Sequence, residues 1–230
     1  MENPFGKVSN IDTVMNFFHD GMSIMFGGFG GVGSPPTIIE GMIEKKLKNL
    51  TLIGNDTGFP TIGIGKIISA GQASRVIVSH IGSNPKAGQL MTEEKLQVEF
   101  CPQGILVERI RAGGVGIPAI LTDIGIDNEM VIRNKPTYIL NGKTYLIESA
   151  LTADVSIVFA KKADSFGNLI YDKSARNTNP LVAMAGDVTI AEVEEIVPIG
   201  QLDPDEIITS GVFIDYIVPS QGVNWKWVWE

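Results

Sequence analysis

One cysteine, Cys101, stands in a chain of 230 residues, so no disulfide forms within the chain and a disulfide-stapled scaffold is excluded. Histidine is almost as scarce. His19 and His80 lie far apart without ligand spacing, so no metal site is expected. Cations are outnumbered: 18 Lys and Arg against 26 Asp and Glu leave a net charge of −8. That field repels phosphate backbones and no basic cluster offsets it, which argues against a nucleic-acid partner. No run approaches the ~18 apolar residues that cross a bilayer. The opening MENPFGKVSNIDTV lacks both the basic and the apolar part of a secretory signal. These absences predict a soluble, cytoplasmic protein with no membrane partner.

What is present points to a globular fold. The chain is 44% hydrophobic, and its 26 glycines follow no triplet period, which sets aside disorder and collagen. Residues 1–230 are predicted to form one domain, large enough to bury a core. Ser9 and Asp12 read as a helix start, with Ile11, Val14, Met15 and Phe18 on one buried face. Short apolar runs predict strands at residues 23–26, 50–53, 75–79, 98–101, 137–140 and 155–160. Pro35-Pro36 opens a helix whose buried stripe is Ile38, Ile39, Met42, Ile43 and Leu47. Asn141-Gly142 joins two strands as a hairpin. The stretch VTIAEVEEIV reads as short strands mixed with turns. Helices alternating with apolar strands predict an α/β fold with a largely parallel sheet flanked by helices, plus an antiparallel addition in the second half.

Ligands of such sheets sit beyond the carboxyl ends of strands. Four segments qualify: residues 27–35 (GGFGGVGSP), 54–60 (GNDTGFP), 79–85 (SHIGSNP) and 101–104 (CPQG). Glycines let a backbone approach a ligand and present successive N–H groups to an anion. Gly28, Gly30 and Gly33 also satisfy the dinucleotide fingerprint GxGxxG. Asp56 then stands about where a ribose-binding acid belongs, so an NAD-dependent oxidoreductase is one reading. The other reading is a tight turn without a ligand. Gln103, just before a helical stretch at residues 105–112, is a candidate oxyanion donor, although on local sequence a surface helix cap is the better reading. Asn55 and Asp56 suit either hydroxyl or carboxylate binding or an Asx turn. His80 is an acid–base candidate or a solvated or core histidine. Cys101 reads as a small buried hydrophobe. Glu108, Arg109 and Arg111 are expected to face outward from their helix.

Asp20-Gly21, Ile24-Met25-Phe26, Gly27-Gly28-Phe29, Gly33 and Pro35 carry a more specific signal. With LTLIGNDTGFP, SHIGSNP, CPQGILVERIRAGGVGIP, KADSFGNLIY and AMAGDVTIAEVEEIV in fixed order, nearly the whole chain resembles the alpha (A) subunits of the family I coenzyme A transferases. The resemblance implies a seven-stranded, largely parallel α/β domain. It implies that Gly27, Gly28, Phe29, Gly30, Gly31, Val32 and Gly33 bind CoA, which is a substrate, so no resident cofactor is expected. It moves the NAD-binding oxidoreductase to second place, and leaves a sugar-phosphate isomerase or a non-catalytic binding module as a third alternative.

The implied chemistry is a double displacement through acyl-glutamyl anhydride and glutamyl-CoA thioester. The family's nucleophilic glutamate belongs to a Ser-Glu-Asn-Gly motif of the beta (B) subunit. No Glu-Asn-Gly occurs here, so the chain is expected to be inactive alone and to join a CoA-transferase beta subunit, as A2B2. By the same resemblance Gln103 supplies an oxyanion-hole amide, while Asn55 and Asp56 lie near the substrate carboxylate. Acetate, butyrate and acetoacetate are the implied acids, with succinate as the alternative. The strand-end segments carry almost no charge, which favours monocarboxylates. Trp225, Trp227 and Trp229 belong to no motif of the family and read as a packed terminus or a contact between subunits.

Overall fold

The computed structural model describes residues 3–225. Its strands are β1 (Ser23–Phe26), β2 (Leu50–Ile53), β3 (Ala73–Val78), β4 (Gln97–Phe100), β5 (Ala119–Thr122), β6 (Thr137–Leu140), β7 (Lys143–Ser149), β8 (Ala153–Asp164), β9 (Leu169–Ile170), β10 (Gly186–Val197) and β11 (Tyr216–Pro219). The helices are α1 (Ile11–Val14), α2 (Pro36–Glu44), α3 (Gly65–Ser69), α4 (Pro85–Thr92), α5 (Gln103–Gly114), α6 (Glu129–Ile132) and α7 (Asn179–Val182). The main sheet runs β11-β10-β8-β1-β2-β3-β4, parallel throughout, with β9 antiparallel on β8. A second sheet, β5-β7-β6, is antiparallel.

Alternation along each strand divides the core between the two faces of the sheet. Ile24, Phe26, Leu50, Leu52, Val76 and Val78 pack with the stripes of α2, α3 and α4. Met25, Ile53 and Ile77 point the other way, onto Ile105, Leu106 and Ile110 of α5 and Val182 of α7. Sequence order reverses at β1, which pairs with β2 on one side and β8 on the other. The loop leaving β1 therefore opens at a topological switch point, where such sheets form crevices.

The helix after the proline pair begins at Pro36, as read. No side chain of its own caps it. Instead Glu192 of β10, fully buried, accepts from the Ile38 amide at 3.1 Å and the Thr37 hydroxyl at 2.7 Å, with Ser220 Oγ at 2.6 Å. A carboxylate at that end complements the helix dipole. Burial pushes its carboxyl above the usual range, and the hydroxyl and amide donors work against that rise.

Three expectations need correction. The cap of α1 is Asn10, whose side chain accepts from Thr13 N at 2.8 Å; Ser9 does not serve, and the helix tightens into a 3₁₀ turn at Met15–Phe17. VTIAEVEEIV belongs to one strand of 12 residues, β10, paired along most of its length with the equally long β8. Its glutamates hide it: Glu192 is buried as a cap, while Glu194 and Glu195 face outward onto Lys161 and Lys162 of β8. Arg109 does not face outward but is 6% exposed. It bonds Glu99 Oε1 at 2.8 Å and the Ser149 carbonyl at 2.7 Å, and lies 3.6 Å from Glu148. With Arg75 on Glu99 and Lys135 on Glu148, alternating charges run from the edge of the main sheet to β7. Burial alone would raise Glu99; bonds and charge from Arg109 and Arg75 outweigh it and hold the carboxyl below the usual range.

Candidate functional site

All four strand-end segments lie along one rim of the sheet. The loop after β1 folds into a small hairpin in which Phe29 and Val32 exchange backbone bonds of 3.0 Å. The loop after β2 repeats the device with an antiparallel bridge between Phe59 and Ile62. The hairpins abut so closely that a Cβ on Gly31 would stand 2.6 Å from Ile62 Cγ2. At Gly33, φ is +79° and a Cβ would meet the Ala175 carbonyl at 2.3 Å, so glycine is required by conformation and by space.

Asp56 pins the two loops together. One carboxylate oxygen accepts from Gly30 N at 2.9 Å and Asn55 Nδ2 at 2.7 Å; the other accepts from Gly58 N at 2.7 Å. Asn55 carries the connection on, since its Oδ1 accepts from Gln103 Nε2 at 2.6 Å. A relay thus runs Gly30, Asp56, Asn55, Gln103, from the glycine loop to the first residue of α5. Asp56 is 5% and Asn55 4% exposed, whereas the Gln103 side chain stands in the open. Asn55 and Asp56 therefore form the floor of the site, and Gln103 rises from it. His80 is exposed beside them: its carbonyl accepts from Thr57 N, and its ring makes no hydrogen bond among the described residues. Cys101 is buried as read, with Arg109 Nη1 3.6 Å from its sulfur; burial pushes the thiol up despite that cation.

The loop amides are less available than the glycines suggest. Gly27 N bonds Ile157 O, Gly28 N bonds Asn177 Oδ1, and Phe29, Gly30 and Val32 are engaged as described. Only the amides of Gly31 and Gly33 lack a partner among the described residues. The sequence reading misses the opposite wall: Asn177 Nδ2 donates to Val32 O and Asn179 Nδ2 to Gly33 O, clamping the loop to residues 177–179. Nothing near the loop in sequence signals that clamp. Trp225 also packs behind the loop, its ring nitrogen donating to Ser34 O at 3.0 Å, while Trp227 and Trp229 lie outside the described residues.

Residues 8–220 match the coenzyme A transferase family. The chain belongs to that family. It is 56% identical to the probable coenzyme A transferase subunit alpha of Bacillus subtilis over 99% of both chains. It is 45% identical to the acetate CoA-transferase subunit alpha of Escherichia coli, covering 94% of this chain and 97% of that one. Among solved structures, the acyl-CoA transferase YdiF of E. coli O157:H7, as a CoA thioester complex, shares the fold with a TM-score of 0.86 at 22% identity. The comparison covers 96% of this chain, which spans 48% of the longer YdiF chain. The transferase fold implied by the sequence, α/β with a parallel sheet between helices, is the fold observed.

Geometry also removes the dinucleotide alternative from this transferase homologue. A ribose-binding acid must offer free carboxylate lone pairs at the surface. Asp56 is buried, and its oxygens already accept three donors. Asp56→Asn puts an NH₂ against one of those N–H groups. It is expected to cost about 1–3 kcal/mol and to speed deuterium uptake by peptides carrying Gly30 and Gly58. Unchanged uptake there would refute the pinning role.

Among the described residues, no helix is long and apolar enough to cross a membrane.

Proposed function

We infer that the chain is the alpha subunit of a CoA-transferase acting on short-chain acyl-CoA or 3-oxoacyl-CoA and a free monocarboxylic acid such as acetate, butyrate or acetoacetate. The glutamate nucleophile comes from a beta subunit, in an A2B2 assembly. One observation carries this reading: an exposed primary amide, Gln103, is held by a buried relay to the glycine loop after β1.

The beta subunit's carboxylate attacks the thioester carbonyl and the C–S bond breaks, releasing CoA thiolate and leaving an acyl-glutamyl anhydride. Thiolate then attacks the glutamyl carbonyl, freeing the acyl group as a carboxylate and leaving glutamyl-CoA. The incoming acid reverses both steps. At each addition the carbonyl oxygen takes up negative charge. Gln103 has one N–H fixed to Asn55 and a second available to that oxygen, so the donor is oriented before charge develops. None of the four strand-end segments contains Glu, which supports a nucleophile supplied in trans. Their only carboxylate, Asp56, is buried and already accepts three donors, and they hold no cation for a second carboxylate; the lack of a cation favours monocarboxylates over succinate.

The test is reconstitution with a glutamate-bearing beta subunit and acetoacetyl-CoA plus acetate. Ping-pong turnover by the pair, none by either chain alone, and a CoA-sized covalent adduct on the beta chain are expected. Transfer by this chain alone would overturn the division of labour.

A further inference from the structure

Sixteen large apolar side chains are exposed among the described residues, and eight of them fall between Val115 and Leu140, in or beside the antiparallel sheet β5-β7-β6. β6 is an outer strand of that sheet. Every residue of it is exposed, Ile139 at 67% and Tyr138 at 52%. Register joins these side chains to a stripe: Tyr138 pairs with Tyr145 and Leu121 with Ile147. Leu121, Ile147, Tyr145, Tyr138 and Leu140 therefore share one face, which ends at the open edge.

The main sheet finishes its edges differently. Residues 7–9 cover β11, through Ser9 N to Ile217 O and Ile217 N to Lys7 O, both 2.8 Å. β4 carries Glu99 between Arg75 and Arg109. β6 has neither device. Among the described residues it pairs with β7 alone, and residues 136–142 (PTYILNG) hold no charge. An edge left in that state accepts another strand.

We propose that the strand it accepts is β6 of a second copy of this chain, antiparallel about a two-fold axis, which joins two three-stranded sheets into one of six strands. The contact goes beyond the CoA-transferase reading and does not depend on it.

Backbone geometry sets the register. Ile147 N bonds Pro136 O at 2.9 Å, so by alternation Tyr138 and Leu140 also turn their polar groups to β7, while Thr137 and Ile139 turn theirs outward. A two-fold through Tyr138 sets Thr137 opposite Ile139 of the other copy, and both N–H and both C=O groups of each strand find partners. The Tyr138 rings then face each other in the non-hydrogen-bonded kind of pair, where side chains come closest. Charge favours a second copy over an acidic or a basic partner. Two chains of net charge −8 repel, and an uncharged strip is where they meet with least repulsion. The same two-fold sets the start of one strand beside the turn of the other. Arg133, exposed and without an ion pair among the described residues, thereby approaches the end where the other copy holds Asp123.

The experiment uses the full-length chain. It is expected to sediment as a dimer at micromolar concentration. Cys101 is its only thiol and is buried, so an introduced cysteine reports by itself. Tyr138→Cys sets two Cβ atoms about 4.5–5.5 Å apart, within a small adjustment of disulfide range. Diamide is expected to link most of these chains into dimers on a non-reducing gel, and to leave the exposed control Lys48→Cys unlinked. Ile139→Pro deletes an outward N–H without touching the β7 ladder, and is expected to weaken the dimer roughly 10–100-fold, since the two-fold counts the loss twice. Ile139→Val keeps the strand and should stay within about threefold, the cost of one methylene spread over an exposed site. The cross-link remains decisive should Ile139→Pro fail to fold. A monomeric chain, cross-linking no faster than in Lys48→Cys, or a folded Ile139→Pro that dimerises as tightly as the parent would each overturn the proposal. So would a Tyr138→Cys thiol that maleimide cannot reach in the assembly with the beta subunit yet that never links to its copy, which would give this edge to the beta subunit. None of these readouts uses turnover, so their failure is separate from failure of the transferase reading.

Discussion

Gln103→Ala is expected to lower kcat of the assembled enzyme by about 10²–10³-fold, the loss that follows removal of one preorganised oxyanion donor. The size follows from the geometry. A side-chain amide free in water must be oriented as the oxyanion forms, whereas Gln103 is already fixed through Asn55, itself bonded to Asp56. The interaction strengthens as the carbonyl oxygen gains charge, so the effect falls on kcat, with acyl-CoA binding little changed. Assembly should survive, because the side chain is exposed and the hydrogen bond it loses, to Asn55, lies within this subunit. Gln103→Glu keeps the shape but removes the N–H donors and adds negative charge at the oxyanion, so its loss should exceed that of Ala. A fall below about fivefold in Gln103→Ala would remove this residue from the role.

Arg109→Met carries the largest expected effect on stability. Its guanidinium is buried between Glu99 on the last strand of the main sheet and the almost fully buried Glu148 on β7. Methionine fills the volume but leaves both carboxylates one partner short and the Ser149 carbonyl without its donor. Breaking a buried pair costs about 3–5 kcal/mol. The lower end applies, since Arg75 and Lys135 stay in place, and corresponds to a fall in Tm of roughly 6–12 °C for a chain this long. Arg109→Lys restores the charge without the fork and should recover part of the loss. Thermal unfolding of the three proteins decides it. A penalty below about 1 kcal/mol, the ordinary value of a surface pair, would mean that the charge chain adds nothing beyond solvated contacts.

The order of difficulty in reading the chain follows the range of the forces involved. β1, β2 and β3 are legible because they are short apolar runs bounded by turns, and buried on both faces. The Asn141-Gly142 hairpin is equally clear, with both residues at positive φ as its turn demands. α4 is not legible: PKAGQLMT buries only Ala87 and Leu90, and its start depends on Asn84 accepting from Lys86 and Ala87. β5 (AILT) escapes because its only buried residue is Thr122. Arg109 is misplaced because its burial depends on Glu148, 39 positions later. At the site, the glycine run announces itself and the supports do not. Asp56 bonds a residue 26 positions back, Asn55 one 48 positions on, and Asn177 one 149 positions back. No local pattern encodes such pairings, so a reading of spacing assigns the glycine amides to a ligand when most serve the fold.

The place of β1 in the sheet has a consequence for biosynthesis. β1 leaves the ribosome well before its second neighbour, β8, which begins some 130 residues later, where Ser23 meets Asp154. Contacts of such separation close late, after most of the loop entropy has been overcome. Until then the emerging half-sheet has β1 as a bare edge, open to pairing with another nascent chain. The glycine loop waits longer still, for residues 177–179 to clamp it. The earliest-made part of the site is therefore the last to take its shape, and truncation anywhere before residue 179 should yield a chain that has every glycine of the loop and no loop.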